Sequence, residues 1–594
     1  MIFRYDIQIL RGLSVLFVVL FHLGLSSFKG GFLGVDVFFV ISGFLMAILY
    51  DFRNKTEFFR RRAKRLLPPY FFIILVTLLA SFAFTTANET KQVVEQSIFS
   101  SFFASNFGFW MQNSYFSKSE FNPLLHLWSL GVEIQFYIII PLLSWFFRKS
   151  KYFLPIILFC SLTLCLLVLT ISPKTSFFIF PFRVWEFLIG FGIAKHFTNE
   201  GKIRYKGREW IGFFSVITLT IIPFMPVNGE SLSVIFGHPG LFSVLICLAT
   251  SGVLLFGLPL AIQNSTCGKA LIFLGKYSYS IYLAHFPIIV IFLSKPFGGT
   301  ILNTESLGEK LLIVFLIGLF SYISFNYIEQ FKSKKIFTFT IISSLTIVTL
   351  SFISSSLQDN LLTEKEKYIF KAFSDRSEYR CGKLIRILEP IAISCEKNNV
   401  INPESTIMLV GNSHADSIKT SLAKISSEKN AKLIFLVPNN PLMEGGLTVS
   451  RIFEDALSQK VDKIVIHYST SGFPIKNVLE LTKVAIDKEI KVVVIDPVPV
   501  WNQHVPKHMY TLLKEDTSNL TKNINSYLED NEAIFKKLDS IESNLYERIS
   551  VSDVFCRYEC VFSDDKGVPF YFDSSHLTLS GSRMLEDKFR SFIQ

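Results

Sequence analysis

The chain has 594 residues and a formal net charge of +11; 50% of its residues are hydrophobic and 15% aromatic, 63 Phe among them, and the mean hydropathy is +0.41. That oiliness excludes a wholly soluble protein of this length. Apolar runs of membrane-spanning length recur to about Leu357 and then stop, so a membrane part and a globular part follow from composition alone.

About eleven spans are predicted, near 8–26, 32–50, 67–86, 127–147, 152–171, 177–196, 210–226, 240–261, 277–294, 310–328 and 336–356. The stretch 97–111 is apolar but short and reads as re-entrant or interfacial. With the N-terminus inside, "RNKTEFFRRRAKR", "RKSK", "KHFTNEGKIRYKGRE" and "KSKK" all fall on one side. The opposite loops, such as "NGESLSVIFGHPG", are poor in Lys and Arg. The positive charge is therefore topogenic, and no nucleic-acid partner is expected. An odd number of spans puts the C-terminal half outside the cytoplasm, with the first span as an uncleaved anchor. The expected layout is a membrane domain over 1–356, a linker and extension over 357–402, and an exported domain over 403–594.

Polar residues interrupt the spans. In "RGLSVLFVVLFHLGL", Arg11 and His22 fall on one helix face, roughly 16 Å apart along the axis. An ionisable group at that depth usually faces a polar cavity and marks a functional site, although Arg11 alone also suits a positive-inside anchor. Asp36 and Ser42 interrupt "GGFLGVDVFFVISGFL". In "RRRAKRLLPPY", Arg62 and Arg65 lie one turn apart; they read as lipid-phosphate anchors or as a site for a polyanionic cytoplasmic substrate. In "NPLLHLWSLGVEIQFY", His126 and Glu133 are spaced to share a face about two turns apart. Glu133 needs a partner or a wet cavity, and Arg183 of "FRVWEFLIGFG" is the structural alternative. His285 in "YSYSIYLAHFP" is a weaker case that suits core packing as well.

These motifs, with "LGKYSYSIYLAHFP" and "YIEQ" at 327–330, occur in an order that resembles the acyltransferase-3 family of integral membrane acyltransferases over roughly residues 4–330. The family's first-span arginine and histidine fall on Arg11 and His22, its basic pair on Arg62 and Arg65, and its fourth-span glutamate on Glu133. The resemblance implies acyl transfer from cytoplasmic acetyl-CoA, across the membrane, to an extracytoplasmic sugar. Acetyl-CoA is then a substrate, and no permanently bound cofactor or metal is expected. His22 would deprotonate an acceptor hydroxyl or take the acyl group. Glu133 would orient that imidazole or help Arg11 steady a tetrahedral intermediate, while Asp36 and His126 are further substrate-binding candidates.

Past the polar break "QDNLLTEKEKY", the segment "STIMLVGNSHADSIKTSLAKI" reads as a strand at 407–410, a tight turn, and an amphipathic helix at 415–425. Ser413 stands at that turn, either as a nucleophile near first-turn N–H groups or as a simple helix cap. Near the chain's end, "FYFDSSHLTLSGSRMLEDKF" supplies Asp573 and His576, three apart, which can complete a serine–histidine–aspartate set. Between them "AKLIFLVP", "VDKIVIHYS" and "IKVVVIDPVP" alternate with helical segments such as 476–488, which predicts a parallel sheet between helices. Cys381, Cys395, Cys556 and Cys560 all lie in this half, and an oxidising compartment suggests two disulfides. Local pairing, Cys381–Cys395 and Cys556–Cys560, is chosen among three connectivities, with a metal site as the rival.

This half resembles the SGNH hydrolase-like domains that follow acyltransferase-3 regions in some bacterial O-acetyltransferases: Ser413 matches the block-one serine, and Asp573 and His576 match the D-x-x-H. Asn412 stands where the family often has aspartate. No G-x-N-D block is found; "IHYSTSG" stands in its place, so the oxyanion-hole asparagine is unassigned. The fold expected is thus a multi-pass α-helical membrane domain followed by an exported α/β SGNH-like domain. The expected function is a bacterial inner-membrane O-acetyltransferase acting on a lipid-linked or surface polysaccharide, first lipopolysaccharide O-antigen and second peptidoglycan, with membrane lipid as its surroundings. Rivals are a glycolipid flippase with a binding module, which does not need Ser413, Asp573 and His576, and an anchored esterase, which leaves His22 and Glu133 unexplained.

Overall fold

A computed structural model describes residues 4–25, 27–112, 120–197, 207–331, 335–382, 392–514 and 520–593. Most of the basic stretches expected at 195–209 and 332–335 lie outside those residues. The chain divides into two units, Met1–Asn360 and Leu361–Gln594.

Each segment predicted as a span in the first unit meets helix. Among the described residues, six helices are long and apolar enough to cross a membrane by length and composition: Tyr5–His22 (α1), Gly31–Leu49, Lys55–Phe84, Leu125–Lys149, Leu307–Ile328 and Ile336–Leu361. Within two of these, the α-helical parts are Gly34–Leu49 (α2) and Trp128–Lys149; the third is continuous over Lys55–Phe84 (α3), and the Trp128–Lys149 helix is α4 here. Phe153–Leu169, Glu209–Phe224 and Leu241–Phe256 are apolar but shorter. The segment expected at 177–196 is broken: a 3₁₀ turn at Phe180–Phe182 precedes Val184–Gly192 (α5), because Pro181 has no N–H to continue a helix. The stretch 97–111 spans the end of one helix, Ala87–Ser101, and a second, Ser105–Met111, with Phe103 at φ +57° between them. The outer faces of Leu307–Ile323 and Ile336–Leu361 are apolar and exposed, with Leu311, Phe315, Ile341 and Phe352 all pointing outward.

Two glycine-mediated crossings set the helices that carry function. The first joins α1 to Thr266–Phe292 (α6). A Cβ on Gly12 would run into the Leu271 carbonyl, and one on Gly275 into the carbonyl of Gln8. The second joins α2 to α5, where Gly43 abuts the Phe187 carbonyl and Gly190 that of Val40. Bare backbone at such crossings lets helices approach closely without side-chain bulk.

The second unit is built on a six-stranded sheet in the order β1-β3-β2-β4-β5-β6, with β1 Ser394–Glu396, β2 Ser405–Gly411, β3 Ala431–Leu436, β4 Lys463–His467, β5 Lys491–Ile495 and β6 Tyr546–Ile549. β2 to β6 are parallel, as near-continuous apolar runs require when both faces are covered. The expectation of an all-parallel sheet needs one correction: β1 pairs antiparallel with β3. This three-residue edge strand lies in the stretch expected as linker and extension. That stretch also carries a helix, Glu364–Lys371, and the Cys381–Cys395 disulfide, which ties β1's Cys395 to the segment before it. Residues 383–391 are outside the described residues. Cys556 and Cys560 form the second disulfide.

Candidate active site

The two units each carry a polar constellation. In the second, β2 ends at Gly411, where a Cβ would meet the His467 carbonyl on neighbouring β4, and the chain turns directly into a helix, Ser413–Glu428 (α7). The helix cap is Asn412, whose Oδ1 accepts the N–H of His414 at 3.1 Å. Ser413 is therefore released from capping, and its Oγ lies 2.7 Å from His576 Nε2. His576 Nδ1 lies 2.7 Å from Asp573 Oδ2, and Asp573 Oδ1 accepts the N–H groups of Ser575 and His576 at 2.8 Å each. Burial alone would push the Asp573 carboxyl up. The hydrogen bond and charge of His576, with the two N–H groups, outweigh that and hold it at about 2.

This geometry arranges a nucleophile, a base and an orienting carboxylate in series, with first-turn N–H groups of α7 beside the serine for an oxyanion. The turn after β4 reaches the same place: Asn412 Nδ2 donates to Ser469 Oγ at 3.2 Å. The segment "IHYSTSG" thus stands beside the nucleophile although it lacks the family's asparagine. Arg380 braces the turn from below, its guanidinium donating to the carbonyls of Gly411 at 3.1 Å, of Leu436 at 3.4 Å and of Asn439.

Sequence reasoning missed two buried imidazoles here. The ring of His414 lies 4.5 Å from that of His576 and 6.2 Å from that of His467. Burial pushes the His414 pKa well below 6.5, and the neighbouring His576 and His467 push it the same way. Burial likewise takes His467 down to about 4. The signal for His414 was its place directly after the serine.

In the first unit, Arg11, Arg62, Arg65 and Glu133 come together. They line a cavity of about 740 Å³, mouth included, with Ser42, Tyr137, Ser278, Tyr279 and Tyr282. Glu133 accepts from Ser42 Oγ at 2.5 Å and from the Tyr137 hydroxyl. Arg65 pairs with Glu329 of "YIEQ" at 3.7 Å. Arg62 Nη2 is buried and, among the described residues, has no hydrogen-bond partner.

His22 is not in that cavity. It lies in a buried group with His126 and His285: His22 Nδ1 is 3.1 Å from His285 Nε2, and the rings of His126 and His285 are 5.6 Å apart. The notion that Glu133 orients His22 is thereby corrected, since Glu133 is bonded to Ser42 and Tyr137 and the nitrogen facing His22 belongs to His285. His126 and Glu133 also part company. His126 precedes α4 in a 3₁₀ turn, Leu125–Leu127, and joins the histidines, whereas Glu133 lies inside α4 and joins the arginines. Asp36 is corrected too. Rather than facing the cavity, it is fully buried against Arg183 at 2.6 Å, in a cluster completed by Glu186 at 2.9 Å from Arg183 and by His238, which Ser243 holds at 2.8 Å. Arg183 therefore answers Asp36 and Glu186 and leaves Glu133 to the cavity. A charge group so enclosed is a structural device. Among the described residues, no cluster of His, Cys, Asp or Glu is arranged to hold a metal ion.

Fold and site together define a two-part protein: a helical unit with membrane-length apolar helices and a basic cavity, and an α/β unit with an assembled serine triad. Residues 4–299 match the family described as an acyltransferase domain, and residues 380–591 match the SGNH domain found fused to such domains; the chain belongs to this fused acyltransferase-3–SGNH family. It is 32% identical over 357 residues to the O-acetyltransferase OatA of Staphylococcus aureus (strain NCTC 8325 / PS 47), covering 55% of this chain and 56% of that protein. It is 31% identical over 303 residues to the putative O-acetyltransferase SACOL0978 of Staphylococcus aureus (strain COL), covering 47% and 50%. The chain thus spans about half the length of the curated relatives it matches. The periplasmic domain of the lipopolysaccharide acetyltransferase of Salmonella ser. Paratyphi A aligns over 39% of this chain and 97% of its own, at 16% identity and a TM-score of 0.28.

Proposed function

We propose that the protein is an O-acetyltransferase that takes acetyl from acetyl-CoA and delivers it to hydroxyls of a surface glycan. The observation that carries this reading is the Ser413–His576–Asp573 series, bonded at 2.7 Å and 2.7 Å in a chain whose relatives are named O-acetyltransferases. The basic cavity supports the donor. CoA brings several phosphate charges, and Arg62 Nη2, which has no hydrogen-bond partner among the described residues, offers them donors with Arg11 and Arg65.

In the exported step, Ser413 Oγ attacks the acetyl carbonyl carbon and its proton passes to His576 Nε2. The tetrahedral intermediate collapses as the leaving group takes that proton, leaving an acetyl-serine ester. A glycan hydroxyl then attacks the ester, gives its proton to His576, and departs acetylated while Ser413 is reprotonated. In the membrane step, His22 is the reacting imidazole and acetyl-CoA is a cytoplasmic substrate. The basic loops support an inside N-terminus in the bacterial plasma membrane, and an odd number of spans would then carry the second unit outside. O-antigen sugar is the first acceptor we expect and peptidoglycan the second.

The test is O-acetyl content, by NMR of purified polysaccharide and mass spectrometry of peptidoglycan fragments, in cells expressing the native chain, His22→Ala or Ser413→Ala at equal levels. Acetyl lost from one glycan in both variants supports the two-site relay and names the acceptor. Acetyl retained in His22→Ala refutes it, and loss in His22→Ala alone reduces the second unit to a binding module.

A further inference from the structure

The cavity, the triad and the reacting His22 leave a buried imidazole, His285, without a task. His285 Nδ1 lies 2.6 Å from the carbonyl oxygen of Tyr282, and His285 Nε2 lies 3.1 Å from His22 Nδ1. A carbonyl oxygen only accepts, so His285 Nδ1 carries the proton and its Nε2 is left as an acceptor. In the contact with His285 the donor is then His22 Nδ1, with the Val18 carbonyl of its own helix as a second partner of the ring, and the lone pair falls on Nε2.

We propose that His285 is the positioning residue of the membrane site, holding His22 in its Nδ1–H tautomer so that reaction runs through Nε2. The inference rests on the reading of His22 as the reacting imidazole. It gives His285 the task that Asp573 performs for His576, and it needs no covalent change in His285 itself.

Packing makes the series rigid enough to matter. Both imidazoles are buried. Phe286 and Phe21 set their rings edge-on against His22, with centroids at 4.7 Å and 5.0 Å and interplanar angles of 71° and 64°, so the imidazole has little room to turn over. The register between the two histidines is fixed by the Gly12 and Gly275 crossing of α1 and α6. On the other side the Tyr282 hydroxyl donates to the His126 carbonyl at 2.9 Å and lies 2.6 Å from Ser129 Oγ, tying α6 to α4. Tyr282 also lines the basic cavity, so the carbonyl that begins the series belongs to a residue at the donor site.

The discriminating variants are His285→Leu, which removes the acceptor, and His285→Gln, whose amide oxygen reaches the place of Nε2. They are compared, with His22→Ala and native protein, as full chains at equal levels in native membrane vesicles. The readout is CoA thiol release from added acetyl-CoA, with the vesicles' own glycan as acceptor. We expect His285→Leu to lower kcat by about 100-fold or more, consistent with the roughly 10⁴-fold cost of a lost tautomer-setting partner elsewhere. KM for acetyl-CoA should stay within about threefold, because the arginines are untouched. His285→Gln should recover kcat to within about tenfold of native. Turnover in His285→Leu within about threefold of native overturns the inference, as do equal losses in the Leu and Gln variants, which would assign His285 to packing. Native turnover in His22→Ala would instead overturn the reading beneath it; a dead His22→Ala beside an active His285→Leu overturns this inference alone.

Discussion

Replacing Asp573 by Asn changes one hydrogen bond and leaves the rest of its turn alone. Asp573 accepts three: two from the N–H groups of Ser575 and His576 on Oδ1, and one from His576 Nδ1 on Oδ2. An amide keeps an oxygen for the backbone pair and presents an NH₂ where Oδ2 stood. His576 Nδ1 must then become the acceptor, its proton moves to Nε2, and the nitrogen 2.7 Å from Ser413 can no longer take a proton. The expected loss is about 10⁴-fold in acetyl-serine formation, or roughly 5 kcal/mol of barrier. Stability should change much less. The two side chains keep 24% and 31% of their exposure, and the carboxyl's drop from 3.8 to about 2 bounds the loss at roughly 2 kcal/mol. The sign in pH is set by the carboxyl's drop from 3.8 to about 2: its contribution is present above about pH 4 and is lost as pH falls through 2, so Asp573→Asn should cost that contribution near neutrality, make no difference below about pH 2, and remove the parent's slope between. The assay is p-nitrophenol release from p-nitrophenyl acetate by purified full chain in a His22→Ala background, with circular-dichroism melts alongside. A variant that melts like its parent yet keeps more than about a tenth of the parent rate would refute the tautomer argument.

Four further outcomes are expected. Arg62→Ala should raise KM for acetyl-CoA at least about tenfold, because it deletes the buried cavity donor that has no hydrogen-bond partner among the described residues; binding measured by calorimetry with acetyl-CoA checks this. Cys381→Ser with Cys395→Ser opens a 14-residue loop and should destabilise the second unit by about 3 kcal/mol, against about 2 kcal/mol for the four-residue Cys556–Cys560 loop, read from denaturant midpoints. His414 and His467 stay neutral in the fold below 6.5 while the unfolded chain takes up protons, so stability should fall as pH drops from about 6.5 toward 4, by up to about 1.4 kcal/mol per pH unit for each; His467→Gln should remove one proton's worth of that slope. Gly275→Leu should separate α1 from α6 and abolish turnover together with protein accumulation in membranes, whereas Gly318→Leu, at a position with open space around it, should do neither.

Much of the architecture was legible because it depends on local pattern. Apolar runs marked the helices, and "IMLV", "LIFLV", "IVI" and "VVVI" marked the parallel strands β2 to β5, whereas β6, Tyr546–Ile549, has no such run and went unmarked. The triad was legible because "GNSH" and "DSSH" sit at a strand–helix turn and before a terminal helix, each carrying its chemistry in a few consecutive residues. What escaped depends on which side chain meets which across the fold. β1 is three residues of ordinary composition, and its pairing comes from a disulfide-tied return. Asp36 and Glu133 look alike as lone carboxylates in apolar helix; one faces Arg183 and the other the cavity, and spacing within a single helix does not report that choice. His126 and Glu133 share a heptad spacing, but the 3₁₀ turn at Leu125–Leu127 breaks the helical phase between them.

The two sites solve one chemical problem under different dielectric conditions. An imidazole acts reliably as a base or nucleophile only if something fixes its tautomer. In the second unit that partner is a carboxylate, and the surroundings permit it: Asp573 keeps 31% of its side-chain exposure and takes two N–H groups in addition to His576. In the first unit the same arrangement would bury a lone negative charge among apolar rings, at a cost of several kcal/mol that no cation beside His22 offsets among the described residues. A second imidazole does the orienting there without any charge, as a donor to a carbonyl and an acceptor from His22. The carboxylates of the first unit are placed instead where cations answer them: Asp36 and Glu186 against Arg183, Glu329 against Arg65, and Glu133 in the cavity with three arginines. Charge is concentrated where an anionic donor would bind and kept away from the imidazole that must remain a base. A His285→Glu exchange would break that separation, and it should impair accumulation in the membrane even though it supplies a better acceptor to His22.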